Sequence, residues 1–211
     1  MSVARRLVEE ILRPEDAAGE ELVLASRSAR RSMLLKMLGV PFRVVAPPED
    51  EPGPRRVSDP ADYAVQRAVE KCRAVARELS APAVVLGADT IVLLDGEVLE
   101  KPRGAAEARR HLMRLSAREH EVVTGIVLHR RPQGREAAGY ETTRVRMAPL
   151  DAETVARYVA TGEPLDKAGA YGIQGIGSLL VTAIDGCYFN VVGLPLARLR
   201  RLFLTLDRDR A

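Results

Sequence analysis

Apolar residues fall along this chain in short runs of two kinds. Continuous or alternating runs at residues 22–25, 42–46, 83–88, 91–94, 121–129, 140–147 and 178–184 have the length and period of strands. Elsewhere apolar positions recur every three or four residues. The clearest such stretch starts at Pro60, behind Asp59 as an N-cap, and runs to Leu79. Val65, Ala68, Val69, Cys72, Val75, Ala76 and Leu79 form its stripe, and Lys71 lies at the edge, where its stem packs and its head reaches outward. The same period predicts helices at 32–38, closed by Gly39, and at 105–115, 152–161 and 196–206, with a short one at 5–12. Asp95-Gly96 predicts a hairpin turn between 91–94 and 97–99. HRRPQGREAAGY, from His129 to Tyr140, predicts an exposed turn between two longer strands, and the proline-rich stretch 46–60 a loop. Interleaved strands and helices with some hairpins predict an α/β fold built on an elongated mixed β-sheet with flanking helices. No repeat or linker divides the chain, so residues 21–208 are expected to form a single domain behind an N-terminal extension, residues 1–20.

Composition narrows the classes. At 211 residues the chain is long enough for a substantial core, and no apolar run approaches the roughly 18 residues of a membrane span. Glutamates interrupt the apolar residues at the start, so no signal peptide is expected. Cys72 and Cys187 lie in apolar surroundings without paired spacing and read as reduced thiols, which predicts a cytoplasmic protein. The net charge of +3 is the residue of 32 basic and 29 acidic side chains, and there is no tryptophan; nucleic acid is not an expected partner, nor is a membrane. Of the 32 basic residues only four are lysines: Lys36, Lys71, Lys101 and Lys167. Where arginine is the default, a retained lysine marks a position suited to a compact ammonium.

Four segments put polar groups where a fold alone would not. In LASRSARRS, Ser26, Ser28, Arg30 and Arg31 sit at a strand-to-helix turn, where backbone N–H groups and the helix dipole already attract an anion. Cations in a first helical turn oppose the dipole, which favours a phosphate ligand over mere surface charge. In VVLGADTIVLLDGEVLEKP, Asp89 is enclosed by apolar sequence and must be paired, protonated or bound to a metal, unless it makes an Asx-type turn at a strand bend. Lys101 closes the following hairpin and is placed to bring a cation alongside it. Glu49, Asp50 and Glu51 form an acidic loop, either solvated or a source of metal ligands. In DKAGAYGIQGIGSLL, Lys167 and Gln174 accompany glycines that permit close backbone approach to a ligand, and Gln174 offers a donor and an acceptor suited to a nucleobase edge; a flexible structural loop is the alternative.

Taken together, LASRSARR, GADT with DGEVLEKP, HEVVTG, DKAGAYGIQG and NVVGLPL resemble, in order and spacing over residues 22–203, the Maf family of septum formation inhibitor-like proteins. The resemblance implies a nucleoside triphosphate pyrophosphatase with a long mixed sheet and two lobes around a cleft, similar to inosine triphosphate pyrophosphatases, and a homodimer. It makes Asp89 the proton acceptor, assisted by Lys101. Ser26, Arg30, Arg31, Lys71, Lys101 and Lys167 would hold the phosphates. Arg30, Thr90 and Gln174 match the positions marking the subgroup that prefers dTTP and UTP. Asp50 or Glu51 would join Asp89 around a divalent metal, Mg²⁺ or Mn²⁺. The family's proline before the paired arginines is replaced by Ala29. The implied reaction is metal-assisted attack of water on the α phosphorus of dTTP, UTP or a modified pyrimidine nucleotide, giving the monophosphate and pyrophosphate. The alternative is a non-catalytic nucleotide-binding regulator of cell division.

Overall fold

A computed structural model describes residues 20–48 and 56–208. The expected helix at 5–12 and the acidic residues Glu49, Asp50 and Glu51 lie outside the described residues. Seven strands form one mixed sheet: β1 (Glu21–Ala25), β2 (Arg43–Val45), β3 (Ala83–Leu94), β4 (Glu97–Leu99), β5 (Glu119–Arg131), β6 (Arg135–Met147) and β7 (Val181–Asp185). Their order is β2-β1-β3-β5-β6-β7, with β4 also paired to β3. β1 runs parallel to β2 and β3, and every other pairing is antiparallel. The helices are α1 (Ala29–Met37), α2 (Pro60–Glu78), α3 (Ala105–Leu115), α4 (Ala152–Ala160), α5 (Tyr188–Val192) and α6 (Leu196–Arg208).

Most expected elements form, with instructive differences. The runs at 83–88 and 91–94 are one unbroken strand, because Asp89 continues the ladder, opposite Gly125, instead of bending the chain. The stretch expected as a strand from 178 starts only at Val181, since Ser178 to Leu180 complete a 3-10 turn. β5 and β6 extend further toward their turn than their apolar pattern, so the hairpin there is short. α1 begins at Ala29, capped by Ser28, so both arginines fall in its first turn. α5, at five residues, has too few apolar positions to show a helical period.

The long middle strand decides where a site can be. β1 accompanies β3 only from Ala83 to Gly87, and β4 only from Val92 to Leu94. Between them, residues 88–91 have no strand partner on that edge among the described residues. On one face of β3, Val84, Leu86 and Ala88 join a core with α1 and α6, whereas Val92 and Leu94 join a separate core with α3 and α4. Thr90 sits between these two lobes. The opposite face is covered by α2, through Ala64, Ala68, Cys72 and Val75.

α2 lies unusually close to the sheet. A Cβ at Gly125 would stand 2.2 Å from the backbone of Ala64, and one at Gly87 would stand 2.5 Å from the carbonyl oxygen of Ala68. The small stripe Ala64, Ala68, Cys72 at four-residue spacing is what permits this approach. Gly125→Ala is expected to cost about 3 kcal/mol, the upper end of overpacking penalties, because the obstruction is backbone and cannot rotate away. Gly139→Ala, whose Cβ would meet only side-chain atoms of Arg198 and Leu202 at 3.5 and 3.7 Å, is expected to destabilise by less than about 0.5 kcal/mol. Urea unfolding of the two variants measures the contrast.

Candidate active site

The open edge of β3 is the floor of a cleft of about 860 Å³, lined by the α1 turn, α2, β4 and the loop after it, α3 and the glycine-rich segment 166–174. Its position beyond the carboxyl end of β1 is where open α/β sheets place ligands. Asp89 stands mid-floor, and its carboxylate is ion-paired with Lys71 of α2, the two side chains being only 15% and 12% exposed. The pairing answers the cost of burying Asp89 in apolar surroundings. The cation expected from Lys101 is instead the ammonium of Lys71; Lys101 lines the cleft, is exposed, and makes no side-chain hydrogen bond or ion pair among the described residues.

At the α1 turn, two neighbouring arginines are used differently. Arg31 is buried: its Nε donates to the Gly193 carbonyl (2.7 Å), Nη1 to Ser26 Oγ (3.2 Å) and Nη2 to Thr90 Oγ1 (2.9 Å). Ser26, itself buried, also accepts from the Ser28 backbone N–H, and Ser28 Oγ caps the helix by accepting from Arg31 N. Arg30 faces the cleft mouth and donates to Asp166 Oδ2 at 3.0 Å. Asp166 Oδ1 accepts from Lys167 Nζ at 2.6 Å, so one carboxylate ties the α1 bank to the glycine-rich bank. Burial pushes the Asp166 carboxyl up, but Lys167 and Arg30 outweigh it and hold it below its usual value.

The glycine-rich bank is pinned from beneath. Glu163 accepts from the backbone N–H groups of Ile176 and Gly177 and from the Tyr158 hydroxyl. Burial raises the Glu163 carboxyl, and these donors bring it below its usual value. Gly169 and Ala170 both take left-handed backbone, with Ala170 at φ +60°, a strained choice for a residue with a side chain. The turn sends Tyr171 inward, where its hydroxyl meets His120 Nε2 at 2.7 Å. Gln174 emerges beyond, lining the cleft with no side-chain hydrogen bond to the described residues.

The fold thus brings Ser26, Arg30, Arg31, Lys71, Asp89, Thr90, Lys101, Lys167 and Gln174 to one cleft. Asp50 and Glu51 lie outside the described residues, and among those described no group of three or more His, Cys, Asp or Glu side chains is arranged to hold a metal. Sequence reasoning passed over the α3 wall, where Glu107, Arg110, His111 and Arg114 line the cleft. Their three-four spacing in EARRHLMR was the available signal, and it reads equally as a solvated helix face. It also missed Glu163, whose role depends on backbone N–H groups that no side-chain pattern reveals. Cys72 is buried, and burial pushes its thiol up to about 12, so it is an inert packing residue.

A family model described as Maf-like protein matches residues 21–206. The chain belongs to the Maf family. Curated relatives carry the name dTTP/UTP pyrophosphatase. The protein from Symbiobacterium thermophilum is 51% identical over 179 residues, 85% of this chain and 90% of that one. Those from Moorella thermoacetica and Dictyoglomus thermophilum are 50% and 44% identical, over 90% and 87% of this chain and 96% and 94% of theirs. A solved structure described as a nucleoside-triphosphatase / dITP/XTP pyrophosphatase from Mycobacterium abscessus overlays with a TM-score of 0.39 and 21% identity, covering 63% of this chain and 76% of that one. In this Maf protein no helix among the described residues is long and apolar enough to cross a membrane.

His120 yields a test of the site's support. Burial lowers its pKa from 6.5 to about 4. An unfolded chain takes up this proton as pH falls through 6.5 while the folded one resists until about 4. Folded stability therefore falls across that window, by on the order of 3 kcal/mol at about 1.4 kcal/mol per unit. Unfolding curves at pH 7.5, 6.5, 5.5 and 4.5 should show this loss, and His120→Gln should reduce it in its upper half, where few carboxylates titrate and His111, also lowered by burial, supplies the remainder.

Proposed function

We propose that this Maf protein is a nucleoside triphosphate pyrophosphatase acting on dTTP and UTP, and on modified pyrimidine nucleotides of similar edge chemistry. The observation that carries the reading is a carboxylate, Asp89, set at the open edge of β3 inside a cleft lined with arginines and lysines. The name borne by relatives up to 51% identical supports the same reaction. A pure phosphate binder has no use for a carboxylate at the centre of its cations.

In this reading the triphosphate lies along the cleft between the α1 turn and the glycine-rich bank. Arg30, Lys101 and Lys167 neutralise it, along with the charge that develops on leaving pyrophosphate. Ser26 and Arg31 form the rigid end of that cradle. Asp89 takes the proton of the water that attacks the α phosphorus, with Lys71 fixing its carboxylate. Asp89 also suits a divalent cation, since Mg²⁺ is commonly held by one or two carboxylates together with substrate phosphates. Such a cation, when bound, would supply charge neutralisation at the phosphates. Gln174, with no protein partner among the described residues, is placed to read the pyrimidine edge. A binding step through that side chain leaves buried polar groups unpaired when the wrong base enters.

Pyrophosphate release from a panel of nucleoside triphosphates with Mg²⁺ or Mn²⁺ tests this directly. Release is expected from dTTP and UTP well ahead of the purine nucleotides, and Asp89→Asn should lower kcat by at least about 10²–10⁴-fold. Thermal melting shows whether that variant remains folded. Tight binding of a nucleotide without release from any of them would favour a regulatory binder. Gln174→Ala should compress the ratio of kcat/KM between dTTP and dGTP more than it lowers kcat for dTTP.

A further inference from the structure

Thr90 lies on the face of β3 opposite Asp89, and its hydroxyl belongs to a chain of hydrogen bonds whose direction can be worked out. Thr124 of β5 sits directly across the ladder from Thr90 and is fully buried. Thr124 Oγ1 is 3.2 Å from the Asn190 backbone carbonyl, which can only accept. The single hydroxyl proton of Thr124 is therefore committed to Asn190. In the 2.9 Å contact between Thr90 Oγ1 and Thr124 Oγ1, Thr90 must then be the donor. With its own proton spent, Thr90 meets Arg31 as an acceptor, which matches the Nη2 contact at 2.9 Å. The relay runs one way, from guanidinium to Thr90, to Thr124, to α5.

The far end is firmly held. The buried Asn190 side chain donates through Nδ2 to the Val122 carbonyl and to Thr143 Oγ1, both at 2.9 Å. The same α5 segment supplies the Gly193 carbonyl to Arg31 Nε. Arg31 is thus tied to α5 twice, once directly and once through two threonine hydroxyls that cross the sheet between the lobes.

We infer that Thr124 and Asn190 are positioning residues that fix the Arg31 guanidinium for a polyphosphate, and that Thr90 acts through this relay. The inference rests on the pyrophosphatase reading for its consequence in turnover, but polyanion binding tests it separately. Thr124→Val keeps the shape and removes both the acceptor for Thr90 and the donor to Asn190, whereas Thr124→Ser keeps both.

The first measurement is calorimetric binding of inorganic tripolyphosphate to the unaltered protein and both variants, with thermal melting alongside. Thr124→Val is expected to weaken binding at least tenfold, and Thr124→Ser to stay within threefold of the unaltered protein. In a background of Arg31→Lys the Thr124→Val substitution should change affinity less than twofold, because its target is gone. A purely structural role for Thr124 would show the same loss in both backgrounds. Undiminished binding by Thr124→Val, equal losses in both backgrounds, or no tripolyphosphate binding by the unaltered protein would each overturn the inference. Should valine prevent folding, Thr124→Ala removes the same hydroxyl with the same expectation. Pyrophosphate release from dTTP by the unaltered protein reports on the reading of the activity independently of these outcomes.

Discussion

The approach of α2 to the sheet is the constraint on which the rest of the molecule depends. Two glycines, Gly87 and Gly125, face a helix stripe of Ala64, Ala68 and Cys72, and the backbones meet at a distance no side chain would allow. The helix is thereby held low enough for Lys71 to reach the carboxylate of Asp89, one pleat beyond Gly87 on the same face. With the helix raised by the width of a methyl group that contact lengthens, and the partly buried carboxylate of Asp89 loses the support of its nearest compensating charge. Packing and chemistry are therefore one arrangement here. Gly125, opposite Asp89 in the ladder, serves both by admitting the helix and leaving no side chain beside the carboxylate.

A second constraint follows from how strands of unequal length share an edge. β3 has twelve residues, but its neighbours on the open side cover only its two ends. The uncovered middle has no strand partner on that edge among the described residues, and there two neighbouring side chains, Asp89 and Thr90, serve opposite faces. The cores on either side of Thr90 are separate, so the cleft is a seam between lobes that share one sheet. Its walls are held by charge and hydrogen bonding: Asp166 links Arg30 to Lys167, and Glu163 gathers the backbone N–H groups of the glycine-rich turn. These contacts are exposed or half-buried, so they keep the banks near one another without closing the cleft.

Arg30 and Arg31 show how adjacent identical residues divide their duties. One helical position apart, they are rotated by about 100°, so Arg31 turns into the seam while Arg30 looks out at its mouth. The inner residue is a planar fork satisfied by a carbonyl and two hydroxyls, an arrangement that a lysine could not reproduce. The outer one is matched by a single carboxylate. The buried arginine sets the geometry, and the exposed one supplies adjustable charge.

Much of this could be read from the chain. The period of α2, the Asp59-Pro60 start, the Asp95-Gly96 turn and the odd position of Asp89 are local signals, written in residues within a turn or two of each other. The family resemblance named nine residues that share the cleft, from Ser26 to Gln174, because its motifs mark segments that meet; Asp50 and Glu51, which it also named, lie outside the described residues. Local pattern could not decide that Asp89 continues a strand rather than bending it, since that choice depends on the partner strand β5. Nor could it separate Arg30 from Arg31, or assign Lys71 rather than Lys101 to Asp89, because both depend on the height and angle at which a helix settles on the sheet. The α3 wall and the Glu163 contacts were equally silent, for a surface-like spacing and a backbone N–H carry no mark in sequence. The sequence by itself determined most of the elements and the chemistry available to them; the tertiary structure decided which charges are paired, which are held rigid and which face the cleft, because those outcomes are set by distances across the sheet.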